Sequence, residues 1–141
     1  CGSGNFTGPL AARARGVAAI EQQGPALELA RADLGGGTAA VRFFAGDALA
    51  VARALARERG PSARRFGVAL LDPPRDGAKG VGPVLRELGV SRAAYVSCDP
   101  ATLARDLKGC IDAGFRLEWV QGFDLFPQTH HVEALALLTR A

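Results

Sequence analysis

Short apolar runs alternate with segments of helical periodicity along most of the chain. Four runs have the length and the apolar, β-branched composition of buried strands: Val17–Glu21, Val41–Gly46, Phe66–Leu71 and Ala93–Ser97. Five helices are predicted around them: Pro9–Ala14, Pro25–Leu34, Ala48–Arg59, Val81–Leu88 and Pro100–Ala113. Strands and helices in alternation predict a parallel sheet that is covered by helices on both faces.

The helix predicted at 100–113 has the clearest sequence signals. Asp99 suits the N-cap position and Pro100 suits the first turn, whereas Gly114 suits the residue that ends a helix. Apolar side chains at i, i+4, i+7 and i+8 predict one buried face, formed by Leu103, Leu107, Cys110 and Ile111.

The end of the chain departs from this alternation. Two strand candidates, Phe115–Gln121 and Val132–Thr139, have no helix between them, so they should pair antiparallel. An otherwise parallel sheet closed by an antiparallel pair is the pattern of the class I, Rossmann-like methyltransferase fold. The chain starts in a glycine-rich loop and contains no methionine. We therefore expect residues 1–141 to be a C-terminal catalytic domain that lacks the first strand of this fold.

Composition narrows the class of protein. With 141 residues, 48% of them apolar and 22% charged, the chain suits one globular domain. A net charge of +3 does not by itself indicate a nucleic-acid partner. No apolar run has the length of a membrane span. Three cysteines without metal-ligand spacing predict no metal site and a reducing, cytoplasmic location.

Glycines and acids at successive strand ends could hold an adenosyl ligand. The opening CGSGNFTG has the spacing G-x-G-x-x-x-G, which lets the backbone of Gly2 and Gly4 approach a ligand. Glu21 closes the next strand, where a carboxylate can accept hydrogen bonds from ribose hydroxyls. Asp47 repeats this placement after the following strand. The alternatives are a plain turn for the glycines, a solvated acid for Glu21 and a helix N-cap for Asp47.

The segment LLDPPRDG places Asp72 at the end of a strand, followed by two prolines that restrict the turn. A carboxylate there lies at the same sheet edge as the glycine loop. Amino-group methyltransferases of DNA carry a similar motif with an aromatic fourth residue, but here that residue is Arg75. An ordinary proline-rich turn is the alternative interpretation.

Cys98 lies between the end of a predicted strand and the helix predicted at 100–113. A lone cysteine in such a turn is more often a packing residue than a nucleophile. The helix N-terminus, however, favours a thiolate at this position. Cys110, on the apolar face of that helix, is predicted to be buried and inert, and Cys1 is assigned no chemistry.

The C-terminal segment FDLFPQTHHVEALALL carries a carboxylate, Glu133, just inside an apolar strand. An idle carboxylate is costly there, so Glu133 is a candidate general base. Phe126 and His130 are candidate walls of a base pocket. His130 and His131 are alternatively ordinary loop residues.

Together, CGSGNFT, LLDPPRDG, VSCDPATLARDL and FDLFPQTHHVEALALL resemble the RNA uridine-C5 methyltransferases along the whole chain. The resemblance implies S-adenosylmethionine as cofactor and 5-methyluridine in ribosomal or transfer RNA as product, with ribosomal RNA preferred. It implies that Cys98 is the nucleophile, Glu133 the base, and Asp72 a wall of the base pocket that also contacts the cofactor. The remaining cofactor-binding residues would be Gly2, Gly4, Asn5, Glu21 and Asp47.

Family members also carry an N-terminal RNA-binding barrel, and some carry an iron–sulfur cluster in that part. Nothing in these 141 residues supplies either one. A second departure is Asp99, where the family often has Asn. The partner implied is RNA, with no membrane and no obligate protein partner.

Three alternatives remain open at this point. DNA cytosine-C5 methyltransferases use the same thiolate chemistry, but their cysteine lies where this chain has DPPR. A nicotinamide-dependent oxidoreductase would use the glycine loop, although the third glycine is out of register for the dinucleotide fingerprint. Finally, the chain could be a non-catalytic fragment that binds S-adenosylmethionine weakly or not at all.

Overall fold

The computed structural model describes residues 1–34, 40–58, 66–125, 127–128 and 132–140. The chain divides into two units, Cys1–Val51 and Ala52–Ala141. The first contains α1 (Thr7–Ala11), β1 (Gly16–Glu21), α2 (Gly24–Leu34) and β2 (Ala40–Ala45), and α3 (Ala48–Arg57) begins in it. The second contains β3 (Val68–Leu71), α4 (Val81–Glu87), β4 (Arg92–Ser97), α5 (Pro100–Asp112), β5 (Arg116–Phe123) and β6 (Glu133–Thr139).

In the first unit, β1 and β2 pair in parallel and α2 is the crossover between them. The buried residues of α2 are Leu27 and Ala30. At the carboxyl ends of the two strands, Glu21 lies opposite Ala45. The loops that follow β1 and β2 therefore start side by side.

In the second unit, the strands lie in the order β3-β4-β6-β5. β3 and β4 are parallel, whereas β6 runs antiparallel to both β4 and β5. A register shift interrupts the pairing of β5 between Leu117 and Trp119. The antiparallel C-terminal pair predicted from the sequence is confirmed.

The first helix is displaced from its predicted range. α1 spans Thr7–Ala11 rather than 9–14, because the glycine loop itself supplies the carbonyl groups of the first turn. The N–H of Gly8 donates to the carbonyl of Gly4 at 3.0 Å. No helix in the described part of the chain is long and apolar enough to cross a bilayer.

The signals at the ends of α5 are confirmed, but its predicted apolar face is partly wrong. The Asp99 carboxylate accepts a hydrogen bond from the N–H of Thr102 at 2.8 Å, which makes Asp99 the N-cap. Ile111 is 48% exposed, although it was expected in the core. Asp106 is buried in its place. The buried positions are 103, 106, 107 and 110, which is also a helical stripe.

Candidate functional site

The carboxyl edge of the sheet in the second unit brings together three of the predicted site residues. β3 and β4 are parallel, so both end at this edge, and the antiparallel β6 begins there. Asp72 follows the last residue of β3, Cys98 follows the last residue of β4, and Glu133 is the first residue of β6. β4 lies between the other two strands, so Cys98 is at the centre of the three.

Strand register refines this placement. Ser97 is the last residue of β4 paired with β6, and its partner is Ala134. One position further along stand Cys98, in the bend that follows β4, and Glu133, the first residue of β6, so the two are at the ends of adjacent strands. Neighbouring strands lie about 4.8 Å apart, and facing residues of an antiparallel pair project from the same side. Asp72 directly follows Leu71, whose partner on β4 is Tyr95, so it stands at the same edge beside the end of β4.

The three positions are open to solvent to different degrees. Asp72 is exposed, whereas Cys98 and Glu133 are half-buried. The opposite side of β4 and β6 is closed, because alternate residues of both strands are buried there. The partly exposed side chains of these positions therefore lie at the edge of the sheet and outside its closed face.

A tight turn holds Cys98 in place. The Ser97 hydroxyl donates to the carbonyl of Asp99 at 3.0 Å and accepts from the N–H of Asp99 at 3.1 Å. The N–H of Thr102 lowers the pKa of Asp99, so the helix N-cap stays ionised. Cys98 is thus fixed between two hydrogen-bonded residues, directly before the N-cap of α5.

Cys110 has none of these features. It is fully buried, and desolvation by that burial raises the pKa of its thiol to about 11. It is a packing residue, as predicted, and Cys1 is exposed. Phe126, His130 and His131, the candidate pocket walls and loop residues, lie outside the described part of the chain.

In the first unit, the glycine loop and Glu21 form one hydrogen-bonded group. The Glu21 carboxylate accepts from the N–H of Gly2 and from the N–H of Gln23, each at 2.8 Å. Burial of Glu21 opposes its ionisation, but the N–H groups of Gln23 and Gly2 outweigh it and lower its pKa. Glu21 is therefore a carboxylate at neutral pH.

The two glycines of this loop have different surroundings. Both have positive φ, +54° at Gly2 and +101° at Gly4. A Cβ on Gly4 would meet a methyl group of Leu34 at 3.0 Å, whereas one on Gly2 would have nothing within 4 Å. Gly4 thus lets α2 pack closely, and Gly2 leaves open space in front of its backbone. Asn5 is exposed beside them.

Asp47 serves as the N-cap of α3, the alternative that its sequence context had left open. Its Oδ1 accepts from the N–H of Ala50 at 2.8 Å. The preceding Gly46 donates its N–H to the carbonyl of Glu21 at 2.9 Å, so the turn that carries Asp47 lies beside Glu21. A role of Asp47 in cofactor binding stays a prediction.

Comparison with known proteins assigns the family. A family model described as tRNA (Uracil-5-)-methyltransferase matches residues 1–141. The chain belongs to this family. A 23S rRNA (uracil(1939)-C(5))-methyltransferase RlmD of Pseudomonas entomophila is 46% identical over 138 residues, which cover 97% of this chain. Those residues are 30% of that relative's length, so the chain spans less than a third of it.

Solved structures confirm the fold predicted for this family member. The Pyrococcus abyssi tRNA (uracil-54, C5)-methyltransferase, solved with S-adenosyl-L-homocysteine, matches with a TM-score of 0.72 and 29% identity. That match covers 98% of this chain and 32% of the other. An S-adenosylmethionine-dependent methyltransferase of Mesorhizobium loti matches with a TM-score of 0.68 at 16% identity, over 99% and 88% of the two chains. The class I methyltransferase fold is therefore established.

Sequence patterns did not identify four residues that hold this sheet edge together: Tyr95, Ser97, Thr102 and Asp106. Three are uncharged polar residues whose spacing carries no signal. Asp106 did carry one, because it lies three residues after Leu103 and one before Leu107, inside the apolar stripe of α5. A carboxylate at such a position indicates a buried polar contact.

Proposed function

We propose that this chain carries the catalytic residues of an enzyme that methylates carbon 5 of a uridine in RNA. The observation that carries the proposal is that Asp72, Cys98 and Glu133 stand at the ends of three neighbouring strands, at one edge of the sheet. Relatives at 44–46% identity are named for a uracil of 23S rRNA, and the P. abyssi protein for a uracil of tRNA. We favour ribosomal RNA because the more similar relatives carry that name.

Cys98 would start the reaction. Carbon 5 of uracil is too weak a nucleophile to attack a sulfonium methyl group directly. Addition of the Cys98 thiolate forms a bond from sulfur to carbon 6 and moves the ring electrons into an enolate, which makes carbon 5 nucleophilic. The turn between Ser97 and Asp99 supports this role, because it fixes the thiol before the reaction.

The first unit offers residues that fit S-adenosylmethionine. The Glu21 carboxylate uses two acceptor sites on backbone N–H groups, and a carboxylate has about four, so it can also accept from ribose hydroxyls. Open space lies in front of Gly2. We propose Gly2, Gly4, Asn5, Glu21 and Asp47 as cofactor-binding residues. When bound, S-adenosylmethionine supplies the methyl group that carbon 5 accepts.

Glu133 would complete the reaction. After methylation, carbon 5 bears both a methyl group and a proton. The Glu133 carboxylate takes that proton, the electron pair re-forms the double bond between carbons 5 and 6, and the Cys98 thiolate leaves. The half-buried position of Glu133, at the same sheet edge as Cys98, supports this role.

Asp72 is proposed to orient the uracil edge. Its carboxylate is exposed on the strand next to Cys98, so it can accept a hydrogen bond from a ring N–H. Because paired bases hide their faces, the uridine must be unstacked or flipped to reach this edge.

The test uses two substitutions in the complete gene product. Cys98→Ala should abolish transfer of radiolabelled methyl groups to RNA, because it removes the thiolate that adds to carbon 6. Glu133→Gln should form the adduct but release it slowly, so a protein–RNA complex should survive denaturing electrophoresis. The double variant Cys98→Ala, Glu133→Gln is the control and should form no complex. Full activity of Cys98→Ala would refute the proposal.

A further inference from the structure

Asp106 of α5 is a buried carboxylate to which the reaction above assigns no role. Its side chain is 0% exposed. Oδ2 accepts from the Tyr95 hydroxyl and from the N–H of Ala78, each at 2.6 Å. Oδ1 accepts from Nε and Nη2 of Arg105 at 3.0 and 2.9 Å. These four contacts use about all the acceptor sites of a carboxylate, which offsets the cost of burying the charge.

Side chains on one face of α5 bind the loop that follows Asp72 through the loop's main-chain groups. The Thr102 hydroxyl donates to the carbonyl of Arg75 at 2.9 Å. Arg105 Nη2 donates to the carbonyl of Asp76 at 2.6 Å, and Asp106 accepts from the N–H of Ala78. Positions 102, 105 and 106 are at i, i+3 and i+4, so they are neighbours on the helix surface. None of these bonds uses a side chain of the loop.

Gly77 shows how closely the loop approaches α5. Its φ is +73°, in the left-handed region that glycine favours. A Cβ at this position would lie 2.7 Å from Arg105 Nη2 and 3.3 Å from Cβ of Thr102. The glycine of DPPRDG therefore serves the contact with α5 as well as the turn.

Tyr95 connects the same cluster to the strand that precedes Cys98. It is fully buried on β4, opposite Leu71, the last residue of β3 before Asp72. Its hydroxyl donates to Asp106 and lies 3.1 Å from the amide of Ala78. The cluster thus joins β4, α5 and the loop, which are the segments that meet around Cys98.

We infer that Asp106 is a positioning residue, which together with Tyr95 and Arg105 holds the Asp72 loop against the segment that carries Cys98. The inference rests on the proposed function, because Asp106 would act through Asp72 and touches no substrate itself. Loosening the loop should misplace Asp72 relative to the thiol. A displacement of about 1 Å can cost about 100-fold in rate.

The first test is Asp106→Asn in the complete gene product. The amide keeps the size of the carboxylate but replaces one acceptor oxygen by an N–H₂ group. That group faces hydrogen-bond donors and cannot accept from them. At saturating RNA and S-adenosylmethionine, we expect the single-turnover rate to fall by about 10- to 100-fold. KM for both substrates should change less than about threefold, because Asp106→Asn disturbs the orientation of the bound uracil and leaves in place the groups that contact the substrates.

Asp112→Asn is the matched control. It makes the same substitution on the same helix, but Asp112 is 62% exposed and pairs only with Lys108 among the described contacts. Its rate should stay within about twofold of wild type, since exposed pairs contribute little. If Asp106→Asn fails to fold, Tyr95→Phe replaces it, because that variant removes one hydroxyl and leaves the other bonds to Asp106 intact.

A double-mutant cycle separates positioning from general stability. If Asp106 acts through Asp72, then Asp106→Asn should add less than about threefold to the loss already caused by Asp72→Ala. Losses that multiply, or a wild-type rate in the Asp106 or Tyr95 variant, would overturn the inference. If the Asp106 or Tyr95 variant has the wild-type rate and Cys98→Ala is still inactive, the proposed function stands and only the inference fails. If Cys98→Ala also keeps its activity, the proposed function is refuted as well.

Discussion

Two glycines at the contact between α4 and α5 should respond oppositely to alanine. Gly82 lies on α4 and is buried. A Cβ there would be 2.8 Å from Cα of Cys110 and from the carbonyl carbon of Gly109, both on α5. A Cβ on Gly109 would have nothing within 4 Å outside its own helix turn. Gly82→Ala should therefore push the helices apart, and Gly109→Ala should not.

The expected magnitudes follow from these distances. Contacts below 3.0 Å with backbone atoms cannot be relieved by rotating a side chain, so α4 or α5 must move. Overpacking of this kind costs about 1–3 kcal/mol. The clash with backbone atoms puts Gly82→Ala in the upper part of this range, about 2–3 kcal/mol, and the lower entropy of the unfolded chain returns about 1 kcal/mol, which leaves a net loss of about 1–2 kcal/mol. Gly109→Ala lacks the clash and should gain about 0.5–1 kcal/mol.

Hydrogen exchange measures both effects without requiring the whole protein to unfold in one step. Amide protection in α4 and α5 should fall by about 5- to 30-fold in Gly82→Ala, and should rise up to about fivefold in Gly109→Ala. Unchanged or higher protection in Gly82→Ala would refute the close approach of the helices. Equal losses in the two variants would show that any added methyl group disturbs this region.

Two further predictions concern single ionisable groups. Iodoacetamide at about pH 8 should label Cys98 in the folded protein but not Cys110, whose burial raises its pKa to about 11, and peptide mass mapping distinguishes the two. Labelling of Cys110 before unfolding would contradict its assigned burial. The N–H groups of Gln23 and Gly2 lower the pKa of Glu21 below its usual value of 4.5, so its contribution to stability is complete above pH 4.5 and is lost as the pH falls below that value. Urea midpoints measured from about pH 6 to about pH 2 should fall less in Glu21→Gln than in wild type, with Glu28→Gln, on the exposed face of α2, as control.

Much of the fold could be predicted because local patterns determined it. Each of the six strands was located to within about two residues, since apolar runs of this length between helical segments are typical of buried strands. The shared edge of Asp72 and Cys98 followed from the prediction that their strands are parallel. The direction of the last strand, and hence the presence of Glu133 at that edge, followed from the missing crossover helix.

The buried face of α5 could not be fully predicted from periodicity. Leu103, Leu107 and Cys110 form a stripe that can extend to either side, towards Asp106 or towards Ile111. Hydrophobicity favours Ile111, yet the structure buries Asp106. The groups that make this possible come from distant parts of the chain, the hydroxyl of Tyr95 and the N–H of Ala78. No helical pattern contains them.

The shared edge of Cys98 and Glu133 also depends on tertiary structure, because they are far apart in the sequence and register decides the match. A slip of one residue would turn the side chain of Glu133 to the other face of the sheet. The buried residues exclude such a slip. Ala93, Tyr95 and Ser97 of β4 pair with Leu138, Ala136 and Ala134 of β6, and all six are buried on one face. A one-residue slip would expose three of them, so the packing of the closed face fixes the register that brings the ends of β4 and β6, and with them Cys98 and Glu133, to the same edge.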